Sequence, residues 1–343
     1  MARTDWKWSS ALSNNPLPAP GRARSDACVA EPKGRKIGMN KIAILGVFVA
    51  DTAYRTARMP RPGETVLGNG FALGPGGKGS NQAVAAARLG GDVTFISKIG
   101  QDPFGDMALA VWAEAGVKTE VQRMADSYTG AAGIFLEEGS GQNAIVISPG
   151  AAGTISEADI VAAGDVIRAA SIFMTQLEQP LPAARRALGI ARSAGAATIL
   201  NPAPAAELDA KFFTLSDYLT PNETEAEDLT GIKVNTVEDA RMAAQKLLEK
   251  GVGGVVITLG PEGALLHTPE ISEMCPAHNF APVVDTTGAG DAFNGAFAVA
   301  LARGDTPLDA VKFGCAVASL SVTRPGTAQS MPTLEELEQA LSA

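Results

Sequence analysis

The chain has 343 residues, 46% of them apolar and 19% charged, enough for a sizeable α/β core and too apolar for disorder over most of its length. The net charge of −9 argues against nucleic acid or an anionic membrane as the main partner, and beyond residue 40 the balance is 21 basic against 34 acidic side chains. The three cysteines, Cys28, Cys275 and Cys315, are far apart with no CxxC pair, a pattern that offers neither a zinc site nor a disulfide framework and suits a reducing, cytoplasmic setting.

Residues 1–38 are rich in Pro, Ser, Asn and Arg, lack the apolar stretch of a secretory signal, and read as a disordered tail. Residues 39–343 then read as one domain, with Met39 as a candidate start. No apolar run reaches the ~18–20 residues of a membrane span. Residues 41–50, KIAILGVFVA, form a continuous apolar run, the mark of a buried parallel strand. Residues 52–73 are mixed, with short β-like pieces around Pro60 and Pro62. A helix follows at 80–89, a strand at 93–97 and a helix at 104–115; residues 127–148 hold two strand-like pieces split by GSGQ.

From there the alternation is regular. Ser156 and Asp159 make a capping box, SIFMTQLE is a strand, 181–194 a helix and ATILNPAP a strand. Asn222 opens a short helix, Thr236 and Asp239 cap a longer one, and GVVITLG is a strand ahead of helices at 288–303 and 307–322. Strands alternating with helices predict an α/β fold, a parallel sheet with helices on both faces. The segments near 50–73 and 127–148 break that rhythm. They predict a small second sheet, a lid over the carboxyl ends of the main strands, where open α/β sheets bind ligands.

Two glycine-rich stretches carry the chemistry. The first, GPGGKGSNQA at 74–83, fails the GxxxxGK[ST] phosphate-loop pattern at both ends, with Ala72 and Gly79 where Gly and Ser or Thr are needed. Its glycines still allow close backbone approach to a ligand, and Lys78 and Asn81 offer donors suited to hydroxyl groups, although a lone Gly-Gly-Lys is usually a turn with a solvated lysine. The second, DTTGAGDAFNGAFAVAL at 285–301, runs small residues into a helix start, where amides and the helix dipole meet anions. Gly288, Ala289 and Gly290 would aim amides at such an anion, with Asp291 beside them. A carboxylate there suits phosphoryl transfer, taking a hydroxyl proton while the amides receive developing charge; equally, it suits a plain helix cap.

GGKGSNQA together with DTTGAGDAFNGA resembles the paired signatures of the PfkB, or ribokinase-like, carbohydrate kinase family. RPGETVLG (61–68), QLE (176–178), NPAPA (201–205), TPNETEAEDLTG (220–231), ITLGPEGA (257–264) and VTRPG (322–326) resemble its ribokinase branch. The resemblance implies an ATP-dependent sugar kinase acting on the exocyclic hydroxyl of ribose or a related pentose. Asp291 would be the catalytic base and Gly288, Ala289 and Gly290 the anion hole. Gly76, Gly77, Lys78, Asn81, Asp51 and Glu178 would hold the sugar. Asn201, Asn222 and Glu225 would serve the ATP phosphates and Mg²⁺, and Thr258, Gly260 and Gly263 would line the nucleotide site. Asp285, Thr287, Gly326 and Ser330 match positions that hold a monovalent cation, usually K⁺. Lids of this family often pair between subunits, which implies a homodimer. One departure stands out. The ribokinase branch has Asn two residues before the strand-end Asp, and this chain has Val49, so a deoxypentose or another small sugar or polyol is an alternative substrate. A nucleoside, hexose or sugar-phosphate kinase of the same family, or a sugar sensor without activity, are further alternatives; no cluster of basic residues marks a sugar-phosphate pocket, and an intact Asp291 argues against the sensor.

Overall fold

The computed structural model describes residues 40–139 and 142–343; the N-terminal tail assigned above lies outside the described residues. Thirteen strands are present among them, in chain order β1 (Lys41–Leu45), β2 (Val49–Thr56), β3 (Gly70–Gly76), β4 (Asp92–Gly100), β5 (Lys118–Met124), β6 (Thr129–Glu137), β7 (Asn143–Gly150), β8 (Ile172–Thr175), β9 (Ala197–Leu200), β10 (Tyr218–Leu219), β11 (Gly254–Thr258), β12 (Ala264–His267) and β13 (Ser272–Cys275). They form a nine-stranded sheet in the order β13-β12-β11-β10-β9-β8-β1-β4-β5 and a four-stranded sheet in the order β3-β2-β6-β7.

The continuous apolar runs of the sequence follow from burial on both faces of the large sheet. In β1, Ile42 and Ile44 pack into the layer built by the helices Lys78–Arg88, Pro103–Ala115, Ala289–Arg303 and Pro307–Ser321. Ala43 and Leu45 point the other way, into the layer that includes the helices Leu181–Ser193 and Val237–Glu249. None of the helices of the described residues is long and apolar enough to cross a membrane.

Two expectations need correction. Residues 41–50 are not one strand. The chain leaves the large sheet after Leu45 and re-enters the small one at Val49. At Gly46 it lies against the start of the Lys78–Arg88 helix, so closely that a Cβ there would sit 2.6 Å from the Cα of Gly79. The large sheet is parallel from β5 to β11, but β12 and β13 are antiparallel at one edge. The link from β11 to β12 is a tight turn closed by Leu259 N–H to Gly263 O at 2.8 Å, and so short a link can only reverse the chain.

Because β8, β9, β10 and β11 run parallel, their carboxyl ends bring Gln176–Glu178, Asn201, Thr220–Asn222 and Thr258 to one edge. β2 continues from β1 at that same edge and carries the small sheet there, and β3 runs through Gly76 and Gly77 into the Lys78–Arg88 helix. That helix and Ala289–Arg303 are buried over most of their length, and small residues set their separation. A Cβ on Gly295 would lie 2.7 Å from the Ala85 Cβ and 2.8 Å from the Gln82 carbonyl oxygen. Gly295→Ala must therefore push the two helices apart. It is expected to cost ~1–3 kcal/mol in urea denaturation; unchanged stability would show that the contact relaxes freely.

Candidate active site

Asp291 sits in the first turn of the Ala289–Arg303 helix and is buried. Asn81 Nδ2 donates to one of its carboxylate oxygens at 3.0 Å and Gln82 Nε2 to the other at 3.0 Å. Gln82 Nε2 also donates to Asn201 Oδ1 at 3.1 Å, and Gln82 Oε1 accepts from Gln176 Nε2. Asn201 Nδ2 donates to the Thr220 carbonyl at 2.9 Å. Thr220 Oγ1 donates to Asn294 Oδ1 at 2.6 Å, and Asn294 Nδ2 donates to the Gly290 carbonyl at 2.8 Å. One buried polar network thus joins the carboxyl ends of β8, β9 and β10 to both helices. Asn81 Oδ1 is buried without a hydrogen-bond partner, an acceptor that a ligand hydroxyl would satisfy.

Around Asp291 the charges are unequal. Glu178 accepts the Lys78 backbone N–H at 2.8 Å. Asp51 lies across Gly76, where a Cβ would fall 2.2 Å from a carboxylate oxygen, so a larger residue there would displace the Asp51 side chain. Burial pushes Asp51 up to about 6. Burial also pushes Glu178 from its ordinary 4.5 up to about 7, with Asp291 and Asp51 adding to the rise and Lys78 opposing it. Burial raises Asp291 against the pull of Lys78 and the two amides, and burial raises Glu225 too. Burial lowers the Lys78 ammonium, but the combined charge of Asp291, Glu178 and Glu225 outweighs it and holds the group above its usual value. Four carboxyl groups against one ammonium make a cluster of acceptors suited to neutral hydroxyl donors.

The helix start beside Asp291 lacks the usual cap. The helices that follow Asp102, Ser156, Asn222, Thr236, Thr306 and Thr333 are each capped by that side chain. Those beginning at Lys78 and Ala289 have glycine at the cap and no side-chain bond. Gly288 holds φ at 81°, and Ala289 N–H donates to the Thr286 carbonyl at 3.2 Å, so of the three residues expected to offer amides to an anion, Ala289 has its amide already engaged. Gly290 and Asp291 precede the first intrahelical bond, Ala292 N–H to Gly288 O at 2.9 Å, and the space beside Gly290 is open.

The remaining expected residues fall into two groups. Asn222 and Glu225 close a reciprocal capping box, and Asn222 bridges to Thr258, which places all three at one sheet end. Gly260 and Gly263, at φ 51° and 109°, shape the turn that follows; at Gly263 a Cβ would meet the Cys275 carbonyl at 2.0 Å. Asp285 and Thr287 lead into the Ala289–Arg303 helix, and Gly326 and Ser330 flank Thr327, which packs against Gly288. Asp285 accepts from Thr287 N–H at 2.9 Å and Gly326 N–H at 3.1 Å, and Ser330 Oγ donates to the Thr327 carbonyl at 2.8 Å. Gln82, Gln176, Thr220 and Asn294 were not among the expected residues. Gln82 was signalled only by the consecutive polar residues Ser80, Asn81 and Gln82 heading a helix that continues in alanine, while Gln176, Thr220 and Asn294 lie inside the motifs QLE, TPNETEAEDLTG and DTTGAGDAFNGA with no role read for them.

Glu178 offers a test of this electrostatic picture. A folded-state pKa raised from 4.5 to about 7 gives stability that is present below the lower value and lost as pH climbs to the upper one. A displacement of that size corresponds to roughly 3 kcal/mol. Glu178→Gln should therefore stabilise the ligand-free protein by about 2–3 kcal/mol at pH 8 and leave it nearly unchanged at pH 4.5. An equal effect at both pH values in denaturant titrations would contradict the assignment.

Residues 39–334 match the pfkB family carbohydrate kinase pattern. The chain is 38% identical over 296 residues to a ribokinase of Haemophilus influenzae, covering 86% of this chain and 96% of that protein. It is 37% identical over 303 residues to a deoxyribokinase of Salmonella typhi, covering 88% and 98%. The structure of Arabidopsis thaliana ribokinase complexed with ribose and ATP superposes with a TM-score of 0.83 at 30% identity, covering 89% of this chain and all of that one. With an uncapped helix start beside a buried carboxylate, and a match to this family over residues 39–334, the chain belongs to the pfkB family of carbohydrate kinases.

Proposed function

We propose that the protein transfers the γ-phosphoryl group of ATP to the exocyclic hydroxyl of a neutral pentose, D-ribose in the first instance. The observation that carries this reading is the buried Asp291 carboxylate, held by Asn81 and Gln82 at an uncapped helix start. Asp51, Glu178, Lys78, Asn81 and the Gly76 and Gly77 backbone take the sugar hydroxyls. Asp291 receives the proton of the attacking hydroxyl. The Gly288 and Gly290 amides of the helix start, with that of Ala289 engaged by Thr286, receive charge as it develops on the transferred group. Asn201, Asn222 and Glu225 face the ATP phosphates, and Thr258, Gly260 and Gly263 line the nucleotide side. The excess of carboxyl groups around Lys78 disfavours a sugar phosphate as acceptor.

Asn201, Asn222 and the single carboxylate of Glu225 are an oxygen-donor set that suits Mg²⁺ carried in with ATP, which supplies neutralisation of phosphate charge. Asp285, Thr287, Gly326 and Ser330 would hold K⁺ through hard oxygen donors, and Asp285 ties their loops together just ahead of Gly288. The four-stranded sheet acts as the lid that excludes water from the sugar. Tyr54 stacks on Phe135 and packs on Phe71 on that sheet, and Phe71, Leu73 and Val146 are exposed on the same face, a surface suited to a second copy in a homodimer. Residues 39–343 constitute the catalytic unit of a cytoplasmic enzyme, and its negative charge leaves nucleic acid and membranes without a role.

Val49 favours a second reading, 2-deoxyribose as the preferred sugar. It is buried, pairs with Gly76 of the sugar loop, and lies two residues from Asp51 on the same strand face, where it puts an apolar group beside the carboxylate. ADP release across ribose, 2-deoxyribose, other pentoses, tetritols, fructose and nucleosides separates the two. Val49→Asn should then raise the ribose-to-deoxyribose ratio of kcat/KM by roughly tenfold, the worth of one hydrogen bond; a ratio that stays put removes Val49 from the specificity argument. For the base, Asp291→Asn is expected to keep the fold and sugar binding while lowering kcat by roughly 10²–10⁴-fold. Near-normal turnover in that variant would sink the assignment.

A further inference from the structure

We infer that Gln82 is the positioning residue of the phosphoryl-transfer site: its side-chain amide holds the Asp291 carboxylate in the orientation needed to accept the sugar proton, and is itself locked by Asn201 and Gln176. The inference rests on the reading of Asp291 as the base.

Two amides hold Asp291, and they differ in what else they do. Asn81 is assigned to the sugar, and its Oδ1 is buried with no partner, so its hydrogen bonds are open to exchange when a hydroxyl arrives. Gln82 has nothing left to exchange. It is fully buried; its two N–H groups go to Asp291 Oδ1 and Asn201 Oδ1, and its carbonyl accepts from Gln176. One carboxylate oxygen therefore stays tied to Gln82 while the other, now held by Asn81 at 3.0 Å, is the one that can turn to the substrate.

The direction of the Gln82 amide follows from its neighbours. A carboxylate only accepts. Asn201 must present its oxygen, because its Nδ2 is committed to the Thr220 carbonyl at 2.9 Å. Turning the Gln82 amide over would set its oxygen against two acceptors and its nitrogen against a donor. Gln176 has space to reach it only because of two glycines: a Cβ on Gly46 or on Gly79 would lie 2.7 Å from Gln176 Oε1. Asn201 stands on the nucleotide side of the site, so the same nitrogen that steadies the base also ties it to a residue facing the ATP phosphates.

The test uses the full chain and steady-state ADP release with ribose or 2-deoxyribose, whichever turns over faster. Gln82→Met keeps the length of the side chain and removes its donors. It should lower kcat by roughly 10- to 100-fold, the scale of a small misplacement of a reacting group, with KM for sugar and ATP within about twofold. In the Asp291→Asn background the same change should cost nothing further, because a residue that acts through the base has no effect once the base is gone. Gln176→Met, which unlocks Gln82 from behind, should lower kcat less and show the same non-additivity. Gln82→Met turnover within twofold of wild type, or an equal loss in the Asp291→Asn background, overturns the inference. If Gln82→Met does not fold by thermal melting, Gln176→Met decides alone, and an unchanged kcat in it is the overturning result. Normal turnover of Gln82→Met beside a nearly inactive Asp291→Asn removes only the role of Gln82; near-normal turnover of Asp291→Asn itself removes the base.

Discussion

The structure depends on keeping one carboxylate, that of Asp291, buried and hydrogen-bonded at a helix start. A carboxylate taken from water without partners is strongly disfavoured. Here two amides from the facing helix meet its two oxygens, and Lys78, at the start of that helix, supplies the nearest positive charge. The facing helix reaches Asp291 only because Gly295 lets it approach, and it begins where it does because β3 ends at Gly76 and Gly77 turns the chain into the helix. The close-packed helix pair, the glycine turn and the break of the first strand at Gly46 serve the same contact.

The second constraint is electrostatic. A site that must bind hydroxyl groups needs acceptors, and ionised carboxylates are the strongest available. Crowding Asp51, Glu178, Glu225 and Asp291 around a single lysine raises every one of their pKa values, chiefly through burial. The ligand-free protein therefore carries unfavourable ionisation near neutral pH, and hydroxyl donors of a bound sugar relieve it. Stability and affinity are set against each other at the same residues, as is common where a site is built from buried charge.

Much of this was readable from the chain. Apolar runs of strand length, alternating with capped helices, pointed to the main sheet, and the capping boxes at Ser156, Asn222 and Thr236 appear where the spacing places them. The two segments that broke the rhythm form the second sheet. Two glycine-rich motifs marked the residues that converge on Asp291. Other features were not legible. The break at Gly46 comes from its contact with Gly79, which lies 33 positions away and has no local signature. The β12–β13 hairpin was hidden because strands of four residues are too short to show a period, and β13 is exposed at Ser272 and Glu273. Ala289 was expected to offer its amide to an anion, but a one-turn bond to Thr286, a matter of backbone geometry, engages it.

Gln82 shows why buried polar residues escape sequence reasoning. On an exposed helix a glutamine is unremarkable, and inside an alanine-rich one it looks like a misplaced surface residue. Its meaning comes from three partners at distant positions, Gln176, Asn201 and Asp291. Each partner restricts the others: Thr220 fixes Asn201, Asn201 and Asp291 fix the Gln82 amide, and Gln176 closes the chain. In a low-dielectric interior such a chain favours one arrangement, and reversing any of these amides sets like groups against each other, donor on donor or acceptor on acceptor. A carboxylate that must accept a proton in one direction gains more from that single arrangement than from any one of its hydrogen bonds, because the cost of a misdirected lone pair falls on the reacting geometry itself.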